Sequence, residues 1–326
     1  MQDFKNLRIN ATERPVTGFG SITCGNLSIG PGGLEVAGQK TSTIASFEEL
    51  DGANEAKDIL GYGTSGVVRK VTHRPTNQVY ALKTMPIGSS GQVLTEKELI
   101  ELKALHQSHH PCIVSFYGAF YNDGALSILL EYMDRGTLAD LLKKHKIIPE
   151  NLLSKLTHSI VLGLEYLHKD LHLIHRDIKP QNILLDSSGH VKITDFGVSG
   201  EIAHSAAFAN SFVGTLKYMS PERIQGGRHS TKSDIWSLGI VIMECALGSY
   251  PYGDETKMSY FDLLGSIVNK NIPSLPPHFS PEFQDFVSKS LEKNETQRLE
   301  SYVLSQHAWL TKYDSDGNNI KEWLER

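Results

Sequence analysis

His175-Arg176-Asp177-Ile178-Lys179-Pro180-Gln181-Asn182, followed by Asp195-Phe196-Gly197, is the stretch on which the reading of this 326-residue chain turns. It sets out an Asp, an Asn five residues later, and a second Asp eighteen residues after the first. Phosphoryl transfer needs a group to accept the proton of the attacking hydroxyl. It also needs side-chain oxygens to hold the metal ions that accompany the nucleotide. Asp177 suits the first task; Asn182 and Asp195 suit the second. His-Arg-Asp alone recurs by chance, whereas the whole string at this spacing almost never does.

A chain of this length can bury a large core, enough for one two-lobed domain with short extensions. Its net charge of -5 gives no general affinity for nucleic acid or an anionic membrane. Cys24, Cys112 and Cys245 are scattered and odd in number, which reads as reduced thiols in a reducing, cytoplasmic setting. The N-terminus carries no apolar signal core, and Gln2 stands where myristoylation would require glycine. The longest apolar run, Ile235 to Gly248, is interrupted by Ser237 and Glu244 and reads as a buried helix, not a membrane span.

The organisation is that of an α+β chain. Residues 1–54 read as a non-catalytic extension, with Ser21–Cys24 and Leu34–Val36 forming a hairpin about Gly30-Pro31-Gly32-Gly33. Because the catalytic pattern begins after it, removal of residues 1–50 is expected to leave a soluble domain. From about Lys57 short β-prone runs dominate: Val67-Val68, Val71, Val79–Leu82, Ile113-Val114 and Ile128–Leu130. Leu94, Leu99, Leu102 and Leu105 recur at helical spacing among them. After Asp134 helical signals take over, with an apolar stripe through Leu152, Leu156, Ile160, Leu164 and Leu167. Further helices are expected over Lys232–Leu247, Tyr260–Val268, Pro281–Leu291 and Ser301–Leu310. The domain spans 55–312, with a small antiparallel β-sheet lobe at 55–132, a mostly α-helical lobe at 133–312, and a tail at 313–326.

Gly61-Tyr62-Gly63-Thr64-Ser65-Gly66-Val67-Val68 fits a phosphate-cradling loop, since glycine lets a backbone approach phosphates closely. A dinucleotide-binding loop shares the spacing, but that motif needs a helix next and here a strand-type run follows. Lys83, flanked by apolar Ala81 and Leu82, is placed to meet the α- and β-phosphates. Glu96, Glu98 and Glu101 compete as its ion-pair partner. Ser220-Pro221-Glu222 resembles the Ala-Pro-Glu that ends a protein-kinase activation segment, which implies that Glu222 needs a buried cation, and Arg298 is the candidate. His106, His109 and His110 lack an accompanying carboxylate or thiolate set, so a structural reading is preferred to metal binding.

These motifs in this order resemble those of the protein kinases. Asp195–Gly200, Asn210–Thr215, Tyr218–Arg223, Ile113–Phe120 and Lys232–Gly239 narrow the resemblance, over roughly residues 55–312, to the mitogen-activated protein kinase kinases. The resemblance implies a bilobal fold and a dual-specificity enzyme using ATP and Mg2+. It would phosphorylate Thr and Tyr of a Thr-x-Tyr motif in a downstream MAP kinase and be activated by an upstream MAP kinase kinase kinase. It selects Glu101 over the other glutamates, because Leu102 and Leu105 then continue that helix. Lys179 would neutralise charge on the transferring phosphoryl group and marks the serine/threonine branch, as does Thr215. Leu60, Gly61, Gly63, Gly66, Val68, Ala81, Lys83, Leu130, Met133 and Leu184 would bind the nucleotide, with Leu130 as gatekeeper and Met133 at the hinge. Leu105, Phe120, His175 and Phe196 would form the regulatory spine.

Ser205 and Ser211 enclose five residues, the spacing of the plant enzymes, and are the expected phosphorylation sites. Both lie in the segment between Asp195 and Glu222, and Arg176, beside Asp177, is the expected cation for such a phosphate. Leu216-Lys217 stands where the family varies, so substrate preference does not carry over. Lys5 with Leu7 and Ile9 is all that resembles the family's N-terminal docking motif; Trp323 and Leu324 resemble part of a C-terminal docking element. The rivals are a Ser/Thr-only kinase of an upstream tier and a pseudokinase scaffold. The second would lose the equivalents of Lys83, Asp177 or Asp195, and all three are present.

Overall fold

The structure is a computed structural model that describes residues 16–18, 21–24, 27–36, 38–41, 44, 46–53, 55–63, 66–86, 102, 105–106, 108–195, 216–253, 258–315 and 319–325. The chain divides into two compact units, Met1–Ser108 with Ser115–Tyr132, and His109–Val114 with Met133–Arg326.

The first unit holds two antiparallel sheets. Strands β6 (Leu50–Asp51), β7 (Ile59–Gly63), β8 (Gly66–His73), β9 (Gln78–Pro86), β10 (Phe116–Asn122) and β11 (Ala125–Glu131) form one sheet, in the order β10-β11-β9-β8-β6 with β7 on β8. Asp123 and Gly124, both at positive φ, make the tight turn between β10 and β11. Side chains alternate across a strand, so the register Val68↔Lys83, Ile128↔Lys83 and Leu130↔Ala81 puts Val68, Ala81, Lys83, Ile128 and Leu130 on one face. Leu82, Leu129, Val71 and Tyr80 point the other way, into an apolar cluster with Ile44, Leu50, Ala53 and Phe120. Strand β10 was not expected from its aromatic, glycine-interrupted sequence. Ile113 belongs to no strand of this sheet; it bridges Ile193 within the second unit.

The other sheet is built from the N-terminal extension. Strands β1 (Val16–Gly18), β2 (Ser21–Cys24), β3 (Leu27–Gly30), β4 (Gly33–Val36) and β5 (Gln39–Lys40) follow one another as a meander. The turn at Pro31-Gly32 lies where the glycines place it, but its arms are β3 and β4. Ser21–Cys24 pairs with β3 and not with Leu34–Val36, because Leu27-Ser28-Ile29 supplies an alternating strand between them. Ile22, Ile29 and Leu34 are fully buried, and β2, β3 and β4 lie against β10.

In the second unit, α1 (Leu138–His145) starts at a capping box between Thr137 and Asp140. Helix α2 (Glu150–Lys169) packs its apolar stripe on the hairpin of β12 (Ile183–Leu185) and β13 (Val191–Ile193). The short α3 (Pro221–Ile224) precedes α4 (Thr231–Leu247), whose residues are buried almost all round, as the apolar run predicts. Helices α5 (Tyr260–Asn269) and α6 (Pro281–Ser290) follow. The single helix expected over Ser301–Leu310 is two, α7 (Ser301–Leu304) and α8 (Ala308–Thr311), because the His307 side chain caps the second by accepting from the Trp309 amide. Glu150 gathers α2, α6 and α8. It accepts from the Ser280 amide at 3.0 Å, the Tyr313 hydroxyl at 2.8 Å and the Trp309 indole at 3.1 Å. The last helix, α9 (Ile320–Leu324), buries Leu324 and sets Trp323 against His145 at 4.6 Å, so these two residues pack inward. Residues 5–9 lie outside the described residues. Among the described residues no helix is long and apolar enough to cross a membrane.

Because Ile44 and Leu50 help close the cluster behind Leu82 and Phe120, a cut at residue 50 removes both and opens the small unit. We predict that the chain lacking residues 1–50 aggregates or melts several degrees lower. Ile29→Ala in the full chain is predicted to lose about 2–5 kcal/mol in chemical denaturation; full stability of either protein would show the sheet to be dispensable.

Candidate active site

Asp234, in the first turn of α4, is a buried carboxylate, 1% exposed. Its Oδ2 accepts from the His175 amide and from His168 Nε2, both at 2.8 Å, and its Oδ1 accepts from the Arg176 amide at 2.8 Å. Burial alone would push this carboxyl up; the hydrogen bond and charge of His168, with the Arg176 amide, outweigh it and hold the group low. The two backbone bonds pin Arg176 at a φ of 71°, a conformation that costs energy for a non-glycine residue.

This pinned loop sets the chemistry. His175 Nε2 donates to the Thr194 carbonyl at 2.9 Å, and its Nδ1 accepts from the Asp177 amide at 3.2 Å. The ring is thereby held as one neutral tautomer, and burial lowers its pKa in agreement. Asp177 Oδ2 takes Lys179 Nζ at 2.8 Å and Asn182 Nδ2 at 3.0 Å. Asn182 Nδ2 also donates to the Asp177 carbonyl at 2.8 Å, so its nitrogen is committed and Oδ1 is the atom left for a cation. Asp177 Oδ1 is buried with no hydrogen-bond partner among the described residues. The Thr194 amide donates to the Asn182 carbonyl at 3.0 Å and so fixes the start of Asp195, itself at a φ of 61°. Asp177, Lys179, Asn182 and Asp195 are thus brought together by one network.

In the first unit Lys83 is 4% exposed and shares its face with Val68, Ala81 and Leu130. Leu60 is 48% exposed. A side chain at Gly66 would press its Cβ to 2.1 Å from the Thr84 carbonyl, so strand contact requires that glycine. At Gly61 a Cβ would meet nothing within 4 Å among the described residues, so none of their atoms demands glycine there. Met133 is buried and Leu184 lies on β12, both in the second unit. Of the spine candidates, Leu105 and Phe120 are buried in the first unit and His175 in the second. Glu96, Glu98, Glu101, Phe196, Ser205, Ser211 and Thr215 lie outside the described residues. Of the histidines before Pro111, His110 stacks on Tyr166 at 4.8 Å and His106 meets Phe116 edge-on at 5.7 Å.

Two features were not foreseen in detail. Asp234 appeared only as one letter of a motif; its signal is an acid at the head of an otherwise apolar helix. Lys217 is buried, with Nζ 3.0 Å from Glu244, whose other oxygen accepts from the Tyr218 hydroxyl at 2.6 Å. The foreseen Glu222–Arg298 pair is present as a fork, at 2.8 and 2.9 Å.

A protein kinase domain model matches residues 54–310. The chain is 41% identical to mitogen-activated protein kinase kinase 2 of Arabidopsis thaliana, covering 96% of this chain and 90% of that protein. The chain belongs to the MAP kinase kinases. It is 45% identical to mitogen-activated protein kinase kinase SIPKK of Nicotiana tabacum, over 80% of this chain and 74% of that protein. It is 42% identical to the dual specificity mitogen-activated protein kinase kinase dSOR1 of Drosophila melanogaster, over 86% and 75%. As a member of this family the MAP kinase kinase is an ATP-dependent protein kinase with an antiparallel β unit and a helical unit.

The fork between Glu222 and Arg298 ties α3 to the segment after α6, with the Arg298 side chain fully buried. Burial pushes the Glu222 carboxyl up, but the Arg298 hydrogen bonds and charge outweigh it and hold the group below its ordinary value. Its contribution is therefore present above the ordinary glutamate range and lost as pH falls through the lowered folded value. Glu222→Gln is predicted to cost about 3–5 kcal/mol at neutral pH in urea denaturation. A difference from wild type that does not shrink in acid would contradict this.

Proposed function

We propose that this MAP kinase kinase is a dual-specificity enzyme. It transfers the γ-phosphoryl group of ATP to the Thr and Tyr of a Thr-x-Tyr motif in a downstream MAP kinase. The observation that carries the proposal is the state of Asp177. One carboxylate oxygen is held by Lys179 and Asn182, while Oδ1 is buried with no hydrogen-bond partner among the described residues. An acceptor oriented in this way suits the proton of an incoming hydroxyl. Lys179, already 2.8 Å from Asp177, is available to offset negative charge that grows during transfer.

Asn182 Oδ1 and the Asp195 carboxylate are hard oxygen ligands of the kind Mg2+ takes, and the committed nitrogen of Asn182 fits that use. Held by Asn182 and Asp195, Mg2+ would supply positive charge to offset that of the nucleotide phosphates. On the β unit, Val68, Ala81 and Leu130 offer an apolar surface for the adenine beside Lys83, which would pair with the phosphates. Leu60, Gly61, Gly63, Gly66, Met133 and Leu184 complete the proposed nucleotide set, and the open space over Gly61 supports a close phosphate approach there. Glu101 is the proposed partner of Lys83. The domain proper is proposed to span 55–312.

Activation is proposed to follow phosphorylation of Ser205 and Ser211 by an upstream MAP kinase kinase kinase. Each phosphate adds about -1.5 to -2 charge, for which Arg176 is the cation adjoining Asp177.

Asp195→Asn keeps shape but removes the charge available to a metal. Lys83→Met removes the phosphate partner. Each is predicted to lower transfer to a kinase-dead MAP kinase by at least about 100-fold without loss of the folded state by circular dichroism. Mapping sites on that substrate is predicted to find phosphate on both Thr and Tyr; phosphate on Thr alone would contradict the dual-specificity reading. The double variant Ser205→Ala, Ser211→Ala is predicted to resist activation, and full activation of it would place control elsewhere.

A further inference from the structure

Lys217, Tyr218, Glu244 and Tyr250 form a compact charge site in the second unit. Glu244 stands near the end of α4, with its side chain 15% exposed. Its Oε1 takes Lys217 Nζ at 3.0 Å, and its Oε2 accepts from the Tyr218 hydroxyl at 2.6 Å. The Lys217 ammonium also lies 5.1 Å from the centre of the Tyr218 ring and 5.5 Å from that of Tyr250. The Tyr250 hydroxyl donates to the Lys217 carbonyl at 2.8 Å, so the backbone that carries the lysine is fixed as well. The Lys217 side chain is 10% exposed, so the pair still reaches solvent.

A carboxylate beside two phenol rings is a receptor for a cation, because the ring faces are negative and the acid supplies a full charge. Here the cation is the chain's own. A mostly buried ion pair gains little over apolar side chains of like volume, so stability alone does not account for it. Its position supplies a reason. The Tyr218 carbonyl accepts from Ser237 Oγ at 2.8 Å, and Ser237 lies one turn after Asp234, which holds the catalytic-loop amides. Arg223, on α3, donates to the Arg176 carbonyl at 3.3 Å and ties the same stretch to that loop. Glu244 follows Asp234 by ten residues on one helix, about 15 Å along its axis. An extended peptide covers that distance in about four or five residues. A protein substrate that presents its hydroxyl to Asp177 thus has flanking side chains within reach of this pocket.

We propose that Lys217 is a specificity-determining residue. It occupies a cation pocket made by Glu244, Tyr218 and Tyr250, and so shuts out lysine and arginine side chains that flank the acceptor hydroxyl of a protein substrate. A second cation entering the filled site would meet the Lys217 charge, with Glu244 already paired. The proposal rests on the reading of a MAP kinase as substrate and deepens it by stating which substrate side chains this surface rejects.

The test measures kcat/KM of the full-length enzyme on a kinase-dead MAP kinase. Variants of that substrate carry a single arginine at each of about five positions on either side of the Thr-x-Tyr motif. The wild-type enzyme is expected to use no arginine variant better than the parent. Lys217→Ala is expected to prefer at least one of them over the parent by about tenfold or more, chiefly through KM. The double variant Lys217→Ala, Glu244→Gln should lose that preference. In thermal melts, millimolar argininamide should stabilise Lys217→Ala but neither the wild type nor the double variant. If Lys217→Ala folds poorly, argininamide should restore its folding, and no restoration would overturn the proposal. So would an arginine preference already present in the wild type, absent from Lys217→Ala, or persisting in the double variant. A wild type that fails to phosphorylate the parent MAP kinase would count against the substrate reading, while the argininamide comparison would still decide the pocket.

Discussion

A single buried carboxylate organises the catalytic loop. Asp234 is almost fully excluded from solvent, where an ionised acid is stable only when surrounded by donors. The donors it collects are the amides of His175 and Arg176 and the ring of His168. Satisfying the acid therefore fixes the backbone of the loop, including the positive φ of Arg176. From there the order passes outward by hydrogen bonds: His175 to Thr194, Asp177 to Asn182, and Thr194 back to Asn182. His168 also bonds Ser301, so the same acid reaches the first turn of α7. Asp177, proposed as the proton acceptor, and Asn182 and Asp195, proposed as metal ligands, sit on this one frame.

The β unit solves a different problem. A sheet carrying a buried lysine on one face must be held rigid from the other. Here the apolar face of Leu82, Leu129 and Val71 is closed by Ile44, Leu50 and Phe120, and the five-stranded N-terminal meander lies against β10. The extension is in this sense part of the scaffold that positions Lys83. In the helical unit Glu150 and Arg298 act as comparable ties, each a buried or half-buried charge saturated by partners distant in sequence.

What could be read from the sequence follows from how local each signal is. The catalytic string, the glycine loop and the β-branched runs of β8 and β9 are local, and the buried helix through Ile235–Gly248 declares itself by composition. The Glu222–Arg298 pair was legible because Ser220-Pro221-Glu222 resembles a motif whose acid is buried and so demands a cation. The N-terminal meander was seen only as a hairpin, since its strands are short and β3 is brief enough to pass for a loop. Strand β10 hid behind Gly118 and Ala119, where burial against β4 and β3 overrides weak propensity. Ile113-Val114 has strand composition but bridges the hairpin of the other unit, a tertiary choice no local pattern records. The role of Asp234 depends on amides 58 and 59 residues away, so only the folded chain reveals it.

The central claim is that Asp234 holds the loop and the loop holds Asp177. The most direct measurement is amide hydrogen exchange at His175 and Arg176, with turnover, in Asp234→Asn. The account predicts faster exchange at both amides and a fall in kcat of at least about 100-fold while α4 stays protected. Native protection at His175 and Arg176 with near-native kcat would contradict it.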